Sequence, residues 1–184
     1  MTDESTESTV IMDAEEMDAA LASLSTAILD AHQDEDSICL LGILSRGRPL
    51  ADRLAQRLTS QGAIVHIGSL STTLYRDDLR SGKVTPKIGG SETHFDFDVD
   101  GRSIVLVDDV LNSGRTIRAA LDEVMDYGRP SRIHLACLID RGLREVPIQA
   151  DYLGKSIQTE STDHVQVRLQ EIDGEDSVVL TRKG

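Results

Sequence analysis

Ile104-Val105-Leu106-Val107-Asp108-Asp109-Val110-Leu111-Asn112-Ser113-Gly114-Arg115-Thr116 is the stretch of this 184-residue chain whose reading decides the fold. Its opening run of four aliphatic residues marks a strand covered on both faces, as in a parallel sheet. Two adjacent carboxylates follow, then a small hydroxyl-bearing turn, then a helical pattern from Thr116. A helix start leaves backbone N–H groups without intrahelical acceptors, and its dipole favours an anion there. Gly114 permits close backbone approach, while Ser113 and Thr116 add hydroxyl donors. Asp108 and Asp109 are unfavourable beside an anion unless they bind something themselves; sugar hydroxyls or a magnesium ion would fit. Aspartate also caps helices, but a cap needs only one acid. A Walker loop is excluded, since no Gly-Lys-Ser/Thr stands at its spacing, and no glycine fingerprint for a dinucleotide is present.

The flanking sequence alternates strand and helix. Residues 1–10 are acidic and rich in Ser and Thr, which reads as a disordered tail before one domain over 11–184. Asp13 and Glu16 have the spacing of a capping box, and Met17, Leu21, Leu24 and Ile28 predict a helix over 15–32. Ile38 to Ile43 is a buried strand. Leu50, Leu54 and Leu58 mark a second helix ending before Gly62, and 63–67 reads as the next strand. The polar stretch 68–90 has the character of a functional loop. His94 to Val99 alternates as a half-exposed strand, and Asp100-Gly101 signals a hairpin. Helix 116–125 closes at Gly128 and Pro130, strand 133–139 follows, and 177–180 is a short strand. The fold class is therefore α/β with a doubly wound, mainly parallel sheet, whose ligands bind beyond the strands' carboxyl ends.

Composition narrows the function. The net charge of −13 argues against strong attraction to nucleic acid or to an anionic membrane, and no Lys or Arg precedes Arg46. Aromatic residues make up only 3%, so the core is aliphatic. No apolar run approaches the roughly 20 residues of a membrane span, which predicts a cytoplasmic protein without membrane partners. Cys39 and Cys137 lie in apolar runs and read as small buried hydrophobes. Residues from Asp96 mimic the start of a calcium loop, but its twelfth position is Val107 rather than Glu. The five histidines match no triad or zinc spacing and read as surface or satisfied core residues.

Strand, Asp-Asp, Ser-Gly, one residue and Thr resembles the signature of type I phosphoribosyltransferases. More narrowly, residues 11–180 resemble the PyrR family of bifunctional pyrimidine operon attenuation regulators and uracil phosphoribosyltransferases. The resemblance is carried by Gly42-Ile43-Leu44-Ser45-Arg46-Gly47, by Thr73-Leu74-Tyr75-Arg76-Asp77-Asp78-Leu79 and by the run through Arg115-Thr116. Ile139-Asp140-Arg141-Gly142 through Pro147-Ile148, Ala150-Asp151-Tyr152 and Gly154-Lys155 extend it. Ser113 stands where the family commonly has Thr and keeps the hydroxyl.

The resemblance implies the type I sheet with a small hood, and an enzyme forming UMP and diphosphate from uracil and 5-phosphoribosyl diphosphate. It implies Mg²⁺ as cofactor, touching Asp108 and Asp109 indirectly, and a homo-oligomer, dimer or higher. Asp108 and Asp109 would hold the ribose, and Val110, Leu111, Asn112, Ser113, Gly114, Arg115 and Thr116 its 5-phosphate. Ser45, Arg46 and Gly47 would hold the diphosphate, with Arg76 stabilising its departing charge from a closing loop. Asp140 and Arg141 would meet the base, with Arg144 beside them. The family also binds a leader mRNA in response to UMP, but this sequence departs there. Ala22-Ser23-Leu24-Ser25-Thr26 replaces a typical Thr-Arg-Ile-Ala-His-like stretch, and Gln149 stands where Arg is usual. Each lost cation removes about one phosphate contact, leaving Arg141, Arg144 and Lys155. A different nucleobase is the remaining alternative.

Overall fold

In the computed structural model, which describes residues 6–72 and 93–183, capping and apolar spacing set the first helix, α1 (Ala14–Ala31). Glu16 N–H donates to Asp13 Oδ1, and Asp13 N–H donates to Glu16 Oε2, both at 2.9 Å. The predicted stripe of Met17, Leu21, Leu24 and Ile28 is buried. Strand β2 (Ile38–Ile43) is buried throughout, and α2 (Gly47–Ser60) buries Leu50, Leu54 and Leu58. Next come β3 (Val65–Leu70), β4 (Ser103–Leu111), α3 (Arg115–Tyr127), β5 (Arg132–Asp140) and β6 (Tyr152–Ser156).

These five strands form one sheet in the order β3-β2-β4-β5-β6, every pair parallel. The central strands feed two cores. Leu40, Val105 and Val107 pack on the α1–α2 face, while Leu41, Ile104 and Leu106 pack with Ile117 and Val124 of α3. Helices on both faces explain why β2 and β4 read as unbroken apolar runs. The doubly wound architecture expected from the sequence is present. Among the described residues, no helix is long and apolar enough to cross a membrane.

A second, antiparallel sheet has the order β1-β8-β7, from β1 (Thr6–Met12), β7 (His164–Arg168) and β8 (Ser177–Lys183), with the short α4 (Gln170–Asp173) between the last two. Here the structure corrects the sequence reading: residues 6–10 belong to β1 instead of a tail. Thr6 pairs with Lys183 and Thr9 with Leu180, and Met12 enters the main core. Polar Ser and Thr suit an edge strand once a distant partner supplies the ladder. A second correction concerns residues 94–99. Phe97 and Val99 are buried in alternation, but only an isolated bridge joins His94 to Ser69. That bridge is to the edge strand β3, and beyond it the segment is held by packing of Phe97 and Val99 instead of a ladder. His32 is a buried residue whose Nε2 lies 3.3 Å from the Tyr152 hydroxyl and whose Nδ1 lies 3.0 Å from Glu35.

Arginines of α2 tie the small sheet to the large one. Arg53 bonds both oxygens of Glu171 (2.7 and 2.8 Å) and both of Asp176 (2.7 and 3.1 Å). Arg57 pairs with Asp18 of α1. The Arg53 hydrogen bond lowers the Glu171 carboxyl below its usual range. At Asp176, burial pushes the pKa up, and Arg53 together with the Gln170 N–H outweighs it, so the net shift is down. Arg53→Met leaves two carboxylates facing each other and should cost about 1–3 kcal/mol at neutral pH, less than a fully buried pair because Glu171 is half in water. Carboxyls with depressed folded pKa values stabilise above their unfolded values and lose that contribution as pH falls through the folded ones. Urea denaturation of parent and variant should therefore show a gap that is full at pH 7 and shrinks below about pH 4.

Candidate active site

The parallel register gathers three loops at one end of the sheet. Gly42 of β2 lies opposite Val107, and Asp108 and Leu111 of β4 lie opposite Cys137 and Asp140 of β5. Strand β4 runs to Leu111, four residues beyond the expected end, so Asp108 and Asp109 are strand residues. Successive strand side chains face opposite ways. Asp108 is accordingly buried, at 7% exposure, and accepts the Asp109 N–H at 3.0 Å, whereas Asp109 is half-buried. Burial pushes the nearby Cys137 thiol well up, and the charges of Asp108, Asp109 and Asp140 push it further. Cys137 is thus held as a neutral thiol.

The turn from β4 to α3 has its carbonyls drawn to one side. Leu111 O accepts from Arg141 N–H (3.0 Å), Asn112 O from Arg144 Nη1 (2.8 Å), and Ser113 O from the N–H groups of Glu145 and Val146 (3.0 and 3.2 Å). In a trans peptide the N–H points opposite to the carbonyl. The amides following these carbonyls, those of Asn112, Ser113 and Gly114, therefore face the other way. Helix α3 opens with no acidic residue in its first turn, so the positive end of its dipole adds to the same side, and the Arg115 N–H donates to Ser113 Oγ at 3.3 Å. Gly114 is required twice over. Its φ is +86°, and an added Cβ would stand 2.8 Å from Val146 Cγ2.

At the neighbouring loop, Gly47 lets the start of α2 approach β4 so closely that a Cβ there would lie 2.3 Å from Val107 O. Ser45 and Gly47 thus sit beside the strand that carries Asp108. Arg46 is placed differently from the sequence reading. Its Nε donates to Val167 O at 2.7 Å, and its Nη2 meets both Asp173 oxygens at 3.0 and 3.3 Å. The guanidinium is turned to the small sheet because a bidentate carboxylate awaits it there. Arg76, with Tyr75, Asp77 and Asp78, lies outside the described residues.

Asp140 ends β5 and accepts from Gly142 N–H (2.9 Å) and Arg144 Nη2 (2.5 Å). Arg141, at 7% exposure, points to the small sheet's connecting loop. It bonds Thr159 Oγ1 (3.0 Å) and the carbonyls of Glu160 and Asp163 (both 2.9 Å). It fastens the loop before β7 to the end of β5. The sequence reading undervalued Arg144, Val146 and Glu145, which hold the β4–α3 turn from behind. Their signal was the long gap between strand β5 and the next, a loop with two closely spaced arginines.

Comparison with known proteins agrees with this geometry. The phosphoribosyl transferase domain family matches residues 9–172. "Bifunctional protein PyrR" of Thermus aquaticus is 47% identical over 174 residues, covering 94% of this chain and 95% of that protein. The protein of the same name from Pelotomaculum thermopropionicum is 48% identical over 171 residues, covering 92% and 93%. Among solved structures, the hypoxanthine phosphoribosyltransferase of Trypanosoma cruzi superposes with a TM-score of 0.72 at 16% identity, covering 96% of this chain and 97% of that one. At that identity the likeness speaks for the fold alone. A carboxylate pair behind an N–H-lined turn, on this sheet and at this identity to its relatives, makes the chain a member of the phosphoribosyltransferase family, in its bifunctional PyrR branch.

Proposed function

We propose that this protein transfers the phosphoribosyl group of 5-phosphoribosyl diphosphate to uracil, forming UMP and diphosphate. The observation that carries the reading is the β4–α3 turn, where the carbonyls of Leu111, Asn112 and Ser113 are taken from behind, so that the N–H groups of Asn112, Ser113 and Gly114 face the other way, toward a 5-phosphate. In the reaction, the bond from ribose C1 to the diphosphate oxygen breaks, a bond from C1 to uracil N1 forms, and the N1 proton leaves. Positive charge builds on the sugar in between, so catalysis is positioning and charge stabilisation.

Ser113, Gly114, Arg115 and Thr116 hold the 5-phosphate. Asp108 and Asp109 take the ribose hydroxyls and favour the developing cation. Ser45 and Gly47 offer the diphosphate their loop at the start of α2, and Arg46 joins them by exchanging Asp173 for the diphosphate. Arg76 completes this end from the segment outside the described residues. Asp140 and the backbone after it read the alternating N–H and C=O groups of uracil. Mg²⁺ commonly binds through one or two carboxylates plus substrate phosphates, and two carboxylates at the end of β4 fit that mode. When bound, the ion neutralises diphosphate charge. The family reading further implies a cytoplasmic homo-oligomer.

Parallel assays with labelled uracil, hypoxanthine, guanine and orotate test the base. UMP should form from uracil, and turnover of a purine or of orotate in its place would sink the assignment. Replacing Asp108 and Asp109 together by Asn should lower uracil turnover about 10²–10³-fold, the scale of losing a preorganised electrostatic group. Gly114→Ala forces a Cβ into a left-handed turn and against Val146. It should weaken 5-phosphoribosyl diphosphate binding by about 1–2 kcal/mol, read as roughly a five- to thirtyfold rise in KM.

A second reading, an RNA-binding regulator, is favoured by the relatives' bifunctional name. Against it stand the cations it would need. Arg141 and Arg144 are engaged with backbone carbonyls, and Lys155 Nζ donates to Ile11 O at 2.6 Å. Filter binding to the host's own pyrimidine leader transcript should show no UMP-enhanced retention; salt-sensitive, UMP-enhanced binding would establish the regulatory role.

A further inference from the structure

Arg144 has a role that neither its exposure nor its place in the motif announces. A guanidinium carries its N–H donors in a rigid planar fork, and here they reach three segments. Nε donates to Ile148 O at 2.7 Å, Nη1 to Asn112 O at 2.8 Å and Gly142 O at 2.9 Å, and Nη2 to Asp140 Oδ2 at 2.5 Å. Asn112 belongs to the phosphate turn, Asp140 to the end of β5, and Gly142 and Ile148 to the loop beside the base position. Backbone amides take the Leu111 and Ser113 carbonyls, while the carbonyl between them goes to this side chain. A second bridge between the same loops, Arg115–Glu145 at 2.5 Å, has both side chains more than half exposed and is correspondingly weak. The Arg144 side chain is only 24% exposed and Asp140 only 14%.

Resting on the function proposed above, we infer that Arg144 is a positioning residue, a staple that fixes the phosphate turn and the base loop at a set spacing so that both ends of a nucleotide are gripped together. Asp140, ionised and aimed by the Gly142 N–H, keeps the fork in its plane. A lysine retains the charge but cannot span three carbonyls and a carboxylate at once.

The staple shapes the site before substrate arrives, so its loss removes binding common to ground and transition states and appears in KM rather than kcat. It also spans both half-sites, so one substitution weakens both substrates. In Arg144→Gln, KM for 5-phosphoribosyl diphosphate and for uracil should each rise about tenfold, with kcat within about threefold. The dissociation constant for UMP, measured calorimetrically, should rise about tenfold. Arg144→Lys should fall between variant and parent. Unchanged KM values and UMP affinity in folded protein would overturn the inference, as would a loss confined to kcat or to the folded fraction. Should Arg144→Gln not fold, Arg144→Lys is judged by the same readouts, and parent-like values there overturn it equally. A parent inactive toward uracil that still binds UMP sinks only the enzyme reading, since the UMP titration still decides the staple. A parent that does neither sinks both.

Discussion

Parallel pairing of β4 on both edges is the constraint from which the site follows. With β2 on one side and β5 on the other, the strand cannot shift register without breaking both ladders at once. The register then fixes which residues emerge together: Gly42, Asp108 and Asp140 come from sequence positions almost a hundred residues apart and arrive at one end of one sheet. Gly47 adds a limit of its own, since α2 approaches Val107 O too closely for any side chain. The small sheet is then clamped to α2 by Arg53 and Arg46 and to the end of β5 by Arg141. The hood's position is therefore inherited from the strands it covers.

Local signals in the sequence were legible wherever a backbone requirement showed in residue type. The capping box at Asp13, the stripe from Met17 to Ile28 and the runs of β2 and β4 state their periods openly, and the doubly wound class follows from their alternation. The β4–α3 turn was legible for the same reason, because Gly114 marks a backbone position of positive φ. Side-chain destinations were not. An arginine after a strand end looks alike whether it turns to a ligand or to a carboxylate on another element. Arg46 finds Asp173, 127 residues on, and Arg141 finds carbonyls on the hood. Residues 6–10 failed for the related reason that an edge strand takes its partner from the far end of the chain. Phe95, Phe97 and Val99 kept the alternation of a strand because packing alone imposes it, while only His94 pairs with the edge strand β3.

Net charge and local charge also have to be separated. A chain of −13 should repel a substrate with two anionic ends, yet screening confines such repulsion to about 8 Å at physiological ionic strength, and contact geometry decides the rest. Much of the acid is spent within the fold, with Glu171, Asp173, Asp176 and Glu175 each paired to arginine. What faces the ligand is ordered by sign. In the proposed site, the N–H groups of the β4–α3 turn serve one end and the start of α2 the other, with Asp108 and Asp109 of β4 between them. A bound molecule with anions at both ends and positive charge growing in the middle meets each sign with its opposite. In the proposed reading, that order of charges matches 5-phosphoribosyl diphosphate as its C1–O bond opens, so that local geometry rather than net charge lets an acidic protein hold a phosphate and a diphosphate.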